Sequence, residues 1–119
     1  MKHDQHFMVD EKLASRIVDY ANLSTKDRVL EVGPGKGALT KYLVKKSKVT
    51  AVEIDAVNLT VLREMNKLES NKIDIVELDI LLYKPKQQFD VIVCDMILHF
   101  LSAENIKSMI KKIQSWTKI

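Results

Sequence analysis

The stretch Arg28-Val-Leu-Glu-Val-Gly-Pro-Gly-Lys-Gly37 decides the fold that this sequence predicts. It joins a short apolar run, typical of a buried strand, to three alternating glycines, and a helical pattern starts directly after them. Glycine tolerates a positive φ and lets a ligand approach the backbone closely. In an α/β fold, nucleotide-like ligands bind in the crevice at the carboxyl end of such a strand. The stretch therefore predicts a nucleotide site, with a purely structural turn as the alternative interpretation.

Apolar runs and helical periodicities alternate along the rest of the chain. The predicted helices span residues 10–21, 38–46 and 57–68, and a last one starts at 102. In the first helix, Leu13, Ile17 and Tyr20 share one face. The predicted strands after the first lie at residues 49–55, 72–78 and 89–94. This order indicates a parallel sheet built by right-handed crossovers, with helices on both faces. We expect residues 1–119 to form a single, partial α/β domain with a Rossmann-like sheet of about four strands.

The composition excludes several classes of protein. The chain has 119 residues, of which 46% are hydrophobic and 29% charged, as in an ordinary globular domain. No apolar run approaches the roughly 18 residues of a membrane span, and the first residues do not resemble a signal peptide. The single cysteine, Cys94, cannot form an internal disulfide, which is typical of a reducing compartment. We expect a cytoplasmic protein without a membrane partner or a metal site.

Carboxylates follow the predicted strands, at the ends that would meet the glycine turn. They are Glu31, Glu53, Asp55, Asp79 and Asp95. An acid about 20 residues after such a turn can accept both ribose hydroxyls of an adenosine, and Glu53 holds that position. Asp55 is predicted to cap the next helix. Asp79 lies one strand further out, where it could accept from an adenine amino group between Leu78 and Ile80. For any one of these acids, an exposed strand end is the alternative interpretation.

Residues 5–80 resemble the class I S-adenosylmethionine-dependent methyltransferases, and among them the ribosomal RNA adenine N6-dimethyltransferases. The resemblance rests on Gln5-His-Phe-Met8, Glu31-Val-Gly-Pro-Gly-Lys-Gly-Ala-Leu-Thr40 and Glu53-Ile-Asp55. It implies the strand order 3-2-1-4, S-adenosylmethionine as cofactor, and RNA as a partner. The expected cofactor contacts are His6, Met8, Glu31, Gly33, Gly35, Gly37, Glu53, Asp79 and Asp95.

An NAD-binding domain is the competing interpretation of the glycine turn, because Gly33-x-Gly35-x-x-Ala38 also satisfies a loosened dinucleotide fingerprint. The helix before the first strand and the Gln5–Met8 segment argue against NAD. The role expected for Asp79 also belongs to the methyltransferase arrangement.

The sequence departs from the resembling family after the fourth strand. That family carries Asn-(Leu/Pro)-Pro-Tyr there, which holds the target adenine, whereas this chain has Asp95-Met-Ile-Leu98. Asp95 keeps an acceptor, but the prolines and the aromatic ring are missing. The following residues are more similar to class I enzymes that methylate small molecules, and there His99 would be a general base near neutral pH. Asp95 and His99 are the candidate catalytic residues, with a structural histidine as the alternative.

We expect the chain to lack the last three strands of a complete methyltransferase sheet and to be truncated, reconstructed or chimeric after about residue 95. Two functions therefore stay open. One is methyl transfer to RNA, and the other is a module that binds S-adenosylmethionine or S-adenosylhomocysteine with little or no transfer. Residues 89–94 are predicted to be a strand buried on both faces with an unpaired outer edge. Such an edge predicts a homodimer, with a monomer whose last helix or polar arm covers the edge as the alternative.

Overall fold

A computed structural model describes residues 11–94 and 103–118. The helices are α1 (Glu11–Tyr20), α2 (Thr40–Leu43), α3 (Ala56–Leu68) and α4 (Ala103–Trp116), and a short 3-10 helix spans Ile80–Leu82. The strands are β1 (Arg28–Val32), β2 (Lys48–Glu53), β3 (Ile73–Glu77) and β4 (Val91–Cys94). Within those described ranges, no helix is long and apolar enough to cross a bilayer.

The four strands form one parallel sheet in the order β3-β2-β1-β4, which confirms the predicted topology. Val32 at the end of β1 aligns with Val52 of β2 and with Cys94 of β4. Glu53 in turn aligns with Glu77 of β3. The carboxyl ends of all four strands therefore meet at one edge, where the glycine turn and the acid after β2 come together.

Side chains that alternate along the strands build two apolar layers, one on each face of the sheet. Val29 and Val49 face α1, α2 and α3, where Leu43 of α2 packs against them. Leu30 points to the opposite face and packs with Met109 of α4. The prediction of helices on both faces is confirmed.

Two helices differ from the prediction. In α1, Leu13, Ile17 and Tyr20 are 51%, 45% and 93% exposed, while Ala14 and Val18 are buried against the sheet. The smaller side chains of that neighbouring stripe let the helix approach the strands closely. The helix predicted at residues 38–46 is found only at Thr40–Leu43, because hydrogen-bonded turns replace it on both sides.

Strand β4 is half-buried along Val91–Cys94, so the prediction that it is buried on both faces was wrong. Among the described strands it lies at the edge of the sheet, and none of them pairs with the outer side of Val91–Cys94. At the start of that side, Phe89 forms a parallel bridge with Thr117. Partial burial raises the pKa of the Cys94 thiol, which suits an unreactive core cysteine better than a nucleophile.

Candidate cofactor site

The glycine turn after β1 leaves an open place beside its backbone. The N–H of Gly33 donates to the carbonyl of Val52 at 3.0 Å, which continues the β1–β2 ladder by one residue. Gly33 and Gly35 then adopt positive φ angles of 68° and 61°. A Cβ built on Gly35 would meet no atom within 4 Å. The absence of a side chain there therefore leaves room for a ligand instead of filling a packing contact.

Gly37 has a different local reason to be glycine. A Cβ at this position would lie 2.4 Å from Cε of Met65 and 3.4 Å from a methyl carbon of Leu62, both on α3. The bare backbone lets the end of the turn pack directly onto α3. The structure thus supplies a packing role for Gly37, and its contact with a cofactor stays a prediction.

Glu53 is the centre of the site. The residue is only 8% exposed, and its Oε1 accepts the N–H of Gly35 at 3.0 Å. Its Oε2 accepts the N–H groups of Ile54 at 3.1 Å and of Asp55 at 3.0 Å. A carboxylate offers about four acceptor positions, so three backbone donors leave about one for a ligand hydroxyl. These bonds fix the carboxylate's orientation and tie the end of β2 to the glycine turn.

Glu31 lies beneath the turn and is fully buried. Its Oε1 accepts the hydroxyl of Thr40 at 2.5 Å, which ties the end of β1 to the first residue of α2. The sequence analysis quoted Thr40 without giving it a role. The available signal was its position nine residues after Glu31, on the other side of the glycine turn. Glu31 positions the turn through this bond, and a direct cofactor contact stays a prediction.

Asp79 reaches the same edge from β3. The N–H of Leu78 donates to the carbonyl of Glu53 at 3.1 Å, so the chain passes beside β2 just before Asp79. Asp79 is exposed, and its Oδ1 accepts the N–H of Leu81 at 2.9 Å as the cap of the 3-10 helix. Ile80 is buried in the apolar layer beneath α4, whereas Leu78 is only half-buried. Of the two residues that flank Asp79, Leu78 is therefore the more exposed to a ligand.

Two residues between β2 and α3, Ile54 and Asp55, also lie at this edge of the sheet. Asp55 accepts the N–H of Asn58 at 2.9 Å, which confirms its predicted role as the cap of α3. Ile54 is 59% exposed directly after the buried Glu53. Sequence reasoning missed Ile54, although an isoleucine between two acids at a strand end is an unusual place for an apolar side chain. Ile54 supplies an apolar surface beside a fixed carboxylate.

Four of the predicted site residues, His6, Met8, Asp95 and His99, lie outside the described residues. Among residues 11–94 and 103–118, no group of three His, Cys, Asp or Glu side chains is arranged to hold a metal ion. The site assembled by the described residues is therefore the turn, Glu53, Ile54 and Asp79.

Comparison with known proteins places this arrangement in a family. The profile of the ribosomal RNA adenine dimethylases matches residues 1–112. Ribosomal RNA small subunit methyltransferase A of Wigglesworthia glossinidia brevipalpis is 35% identical over 122 residues, covering 99% of this chain and 46% of that protein. The crystal structure of the 23S rRNA methyltransferase ErmE is 31% identical with a TM-score of 0.67, over 90% of this chain and 41% of ErmE.

A further solved structure agrees in fold. An S-adenosylmethionine-dependent methyltransferase from Clostridium acetobutylicum ATCC 824 is 25% identical with a TM-score of 0.79, over 92% of this chain and 47% of that chain. This chain spans less than half the length of all three relatives. The matched family profile nevertheless covers nearly all of it, including the glycine turn, Glu53 and Asp79. The chain belongs to the ribosomal RNA adenine dimethylase family.

Proposed function

We propose that this chain binds S-adenosylmethionine at the carboxyl edge of β1 and β2. We further propose that it forms the cofactor-binding part of an enzyme that methylates adenine N6 in ribosomal RNA. The observation that carries the proposal is the nearly buried carboxylate of Glu53, held by three backbone N–H groups beside the open backbone of Gly35. Membership of the ribosomal RNA adenine dimethylase family supports this cofactor over NAD.

The site residues fit the parts of this cofactor. The remaining acceptor position of Glu53 suits a ribose hydroxyl, and the exposed side chain of Ile54 suits the face of an adenine ring. Asp79 uses one carboxylate oxygen for its cap, which leaves the other for an adenine amino group. Gly33 and Gly35 would lie against the amino-acid end, and by family resemblance His6 and Met8 would close over it.

The chemistry that the cofactor supplies when bound is an electrophilic methyl group on a sulfonium. Asp95 would accept a hydrogen bond from the amine to be methylated, and His99 would take its proton. Methyl transfer also needs the amine to be held in line with the methyl group. Because Asp95-Met-Ile-Leu98 lacks the proline-aromatic pattern of the family, we propose that this chain alone transfers methyl groups to RNA weakly or not at all.

Calorimetric titration with S-adenosylmethionine, S-adenosylhomocysteine and NAD tests the cofactor. We expect both methionine-derived ligands to bind and NAD not to bind, and the reverse result would refute the proposal. A radiolabelled methyl-transfer assay on small-subunit ribosomal RNA then separates the two functions. Abundant dimethyladenosine would rule out a module that only binds the cofactor.

We also propose that residues 1–119 act as one partial domain that forms a homodimer through the outer edge of β4. Asp90 donates to the carbonyl of Arg28 on the β1 side, whereas Phe89 donates to the carbonyl of Trp116 on the other side. Asp90 is a bend, and Val91 pairs with Val29, so the N–H of Val91 points to β1 and that of Ile92 lies on the outer edge. The contact between Phe89 and Trp116 also supports the alternative, in which this chain's own backbone begins to cover that edge.

Sedimentation equilibrium on the parent chain, Ile92→Pro and Ile92→Ala tests the dimer. Proline removes the outer-edge donor while alanine keeps it, so only the proline variant should become monomeric. A parent chain that is monomeric at high micromolar concentration, with the cofactor still bound, would rule the dimer out.

A further inference from the structure

A shallow cleft of about 390 Å³ lies between α1 and α2, and the cofactor site uses none of its residues. Lys12, Ser15 and Arg16 of α1 line one side and Tyr42 of α2 lines the other. Lys12 and Arg16 are four residues apart, so their side chains lie on the same face of α1, one turn apart. The cleft therefore places two cations and a hydroxyl opposite an aromatic ring.

Positive charge is concentrated around this cleft. Within α1 and residues 40–46, five side chains are basic, namely Lys12, Arg16, Lys41, Lys45 and Lys46, and two, Glu11 and Asp19, are acidic. Asp19 forms an ion pair with Lys46. The whole chain carries a net charge of +3, so these two segments account for all of it. Arg16 and Lys45 are exposed, and neither has an ion-pair partner in the described part of the chain.

The direction of the two helices relates the cleft to the cofactor site. Tyr42 of α2 lies across the cleft from Lys12 and Arg16 of α1. Further along both segments, Asp19 pairs with Lys46, three residues after α2, so the two helices run in the same direction. Their amino-terminal ends lie toward the glycine turn, because α2 begins at Thr40, three residues after Gly37. The basic side chains of α1 and α2 thus extend along these two helices, starting from the edge of the sheet that carries the cofactor site.

An aromatic ring accompanies the cations. Tyr42 is half-buried in the cleft wall, and Nζ of Lys41 lies 5.3 Å from the centre of its ring. Grooves that hold single-stranded nucleic acid combine basic side chains for the phosphates with aromatic side chains for the bases. The α1–α2 cleft contains both kinds of group.

We propose that the α1–α2 cleft binds the phosphate backbone of the RNA acceptor. Arg16 offers a planar fork of donors to one phosphate, and Lys12 offers a point charge beside it. Lys45, three residues after Tyr42 and next to the cleft lining, offers a point charge to a neighbouring phosphate. Such contacts fix the position of the strand without reading its sequence. The choice of RNA over another polyanion rests on the proposed function, whereas the location of the contact rests on the charges of the cleft.

The variants Arg16→Gln and Lys45→Gln each remove one positive charge, and Lys111→Gln is the matched control. Lys111 is an exposed lysine on α4, which covers the opposite face of the sheet. Fluorescence anisotropy with a short single-stranded fragment of small-subunit ribosomal RNA, repeated over a salt series, measures binding. Each cleft variant should weaken binding about 3- to 10-fold at low salt and reduce the slope of log affinity against log salt by about 0.7 to 1. The control should match the parent.

Unchanged slopes in both cleft variants, or an equal change in Lys111→Gln, would overturn the proposal, as would a parent chain that does not bind the RNA. Calorimetry with S-adenosylhomocysteine on the same proteins keeps this proposal distinct from the cofactor site. The cleft variants should bind that ligand as the parent does. RNA binding that depends on Arg16, in a chain that does not bind S-adenosylhomocysteine, would refute the proposed function and support the cleft.

Discussion

Replacing Glu53 with alanine should weaken S-adenosylhomocysteine binding somewhat more than it destabilises the fold. The variant removes the acceptor of three backbone N–H groups together with the one acceptor position left for a ribose hydroxyl. Of the three donor residues, Ile54 and Asp55 are exposed and Gly35 is half-buried. Water can therefore take over as their acceptor, and we expect the free energy of unfolding to fall by only about 1–2 kcal/mol.

The expected loss in ligand-binding free energy follows from the lost ribose contact. A hydrogen bond from a ribose hydroxyl to a carboxylate contributes about 1.5–3 kcal/mol. Its removal should raise the dissociation constant of S-adenosylhomocysteine roughly 10- to 150-fold. The loss of the bond between Glu53 and Gly35 also loosens the turn, which favours the upper part of that range.

Isothermal titration calorimetry and thermal unfolding of each protein measure the two effects separately. The matched control is Glu77→Ala, which removes a carboxylate from the register neighbour of Glu53 on β3. Glu77 is 57% exposed and pairs with Arg63 at 2.7 Å, an arrangement that contributes less than about 1 kcal/mol. Its loss should change the affinity less than twofold. If Glu53→Ala bound the ligand as tightly as the parent, the assignment of the ribose to Glu53 would be wrong.

Three further variants test other parts of the site and the fold. Gly37→Ala should lower the free energy of unfolding by about 1–3 kcal/mol in urea titrations, mainly because its φ of 91° strains an alanine, while the flexible end of Met65 would move away from the new Cβ; an unchanged midpoint would contradict this strain. Asp79→Ala should weaken S-adenosylhomocysteine by about 0.5–1.5 kcal/mol in calorimetry, and an analogue without the 6-amino group should bind variant and parent alike; equal losses for both ligands would exclude the amino contact. The pKa of Asp90 lies below its usual range, chiefly because its carboxylate accepts the backbone N–H of Arg28 and secondly because it pairs with Lys118. This carboxylate therefore stabilises the fold at pH values above its ordinary pKa, and the stabilisation is lost as the pH falls through the lowered pKa. Asp90→Asn should therefore be less stable than the parent at pH 7, and its stability should approach that of the parent in acid. A difference in melting temperature between the two proteins that is the same at every pH would refute this.

The topology and the centre of the site could be predicted from sequence because both depend on local patterns. Apolar runs that end on acids gave the strands, and the three glycines located the turn between β1 and α2. The cap at Asp55 followed from its position just before a helical pattern. These features need only the order of residues and the geometry of a parallel sheet.

The helix faces could not be predicted in the same way. In α1, the stripe of Leu13 and Ile17 and the stripe of Ala14 and Val18 have the same spacing and differ by one position. Periodicity alone favours the larger side chains, whereas the structure buries the smaller ones. Which stripe faces the sheet depends on how closely the helix approaches the strands, and that is a property of the whole layer.

The hydrogen bonds around Glu53 also could not be predicted from the sequence. Its position at the end of β2 was predicted, but its contact with Gly35 depends on the φ angles of a turn 18 residues away. Ile54 was overlooked because an apolar residue beside a strand is normally assigned to the core. Its exposure becomes informative only when the neighbouring carboxylate is seen to be held in place.

The bond from Gly35 to Glu53 gives the site its own spectroscopic reporter. The chain contains three glycines, all of them in the turn, and glycine amides resonate in a separate part of the nitrogen spectrum. A ligand that competes for Oε1 of Glu53 would perturb the amide of Gly35 first. The amide of Gly37, which donates to the carbonyl of Pro34, would serve as an internal reference. A single two-dimensional NMR spectrum of labelled protein could thus follow occupancy of the turn without any label attached to the ligand.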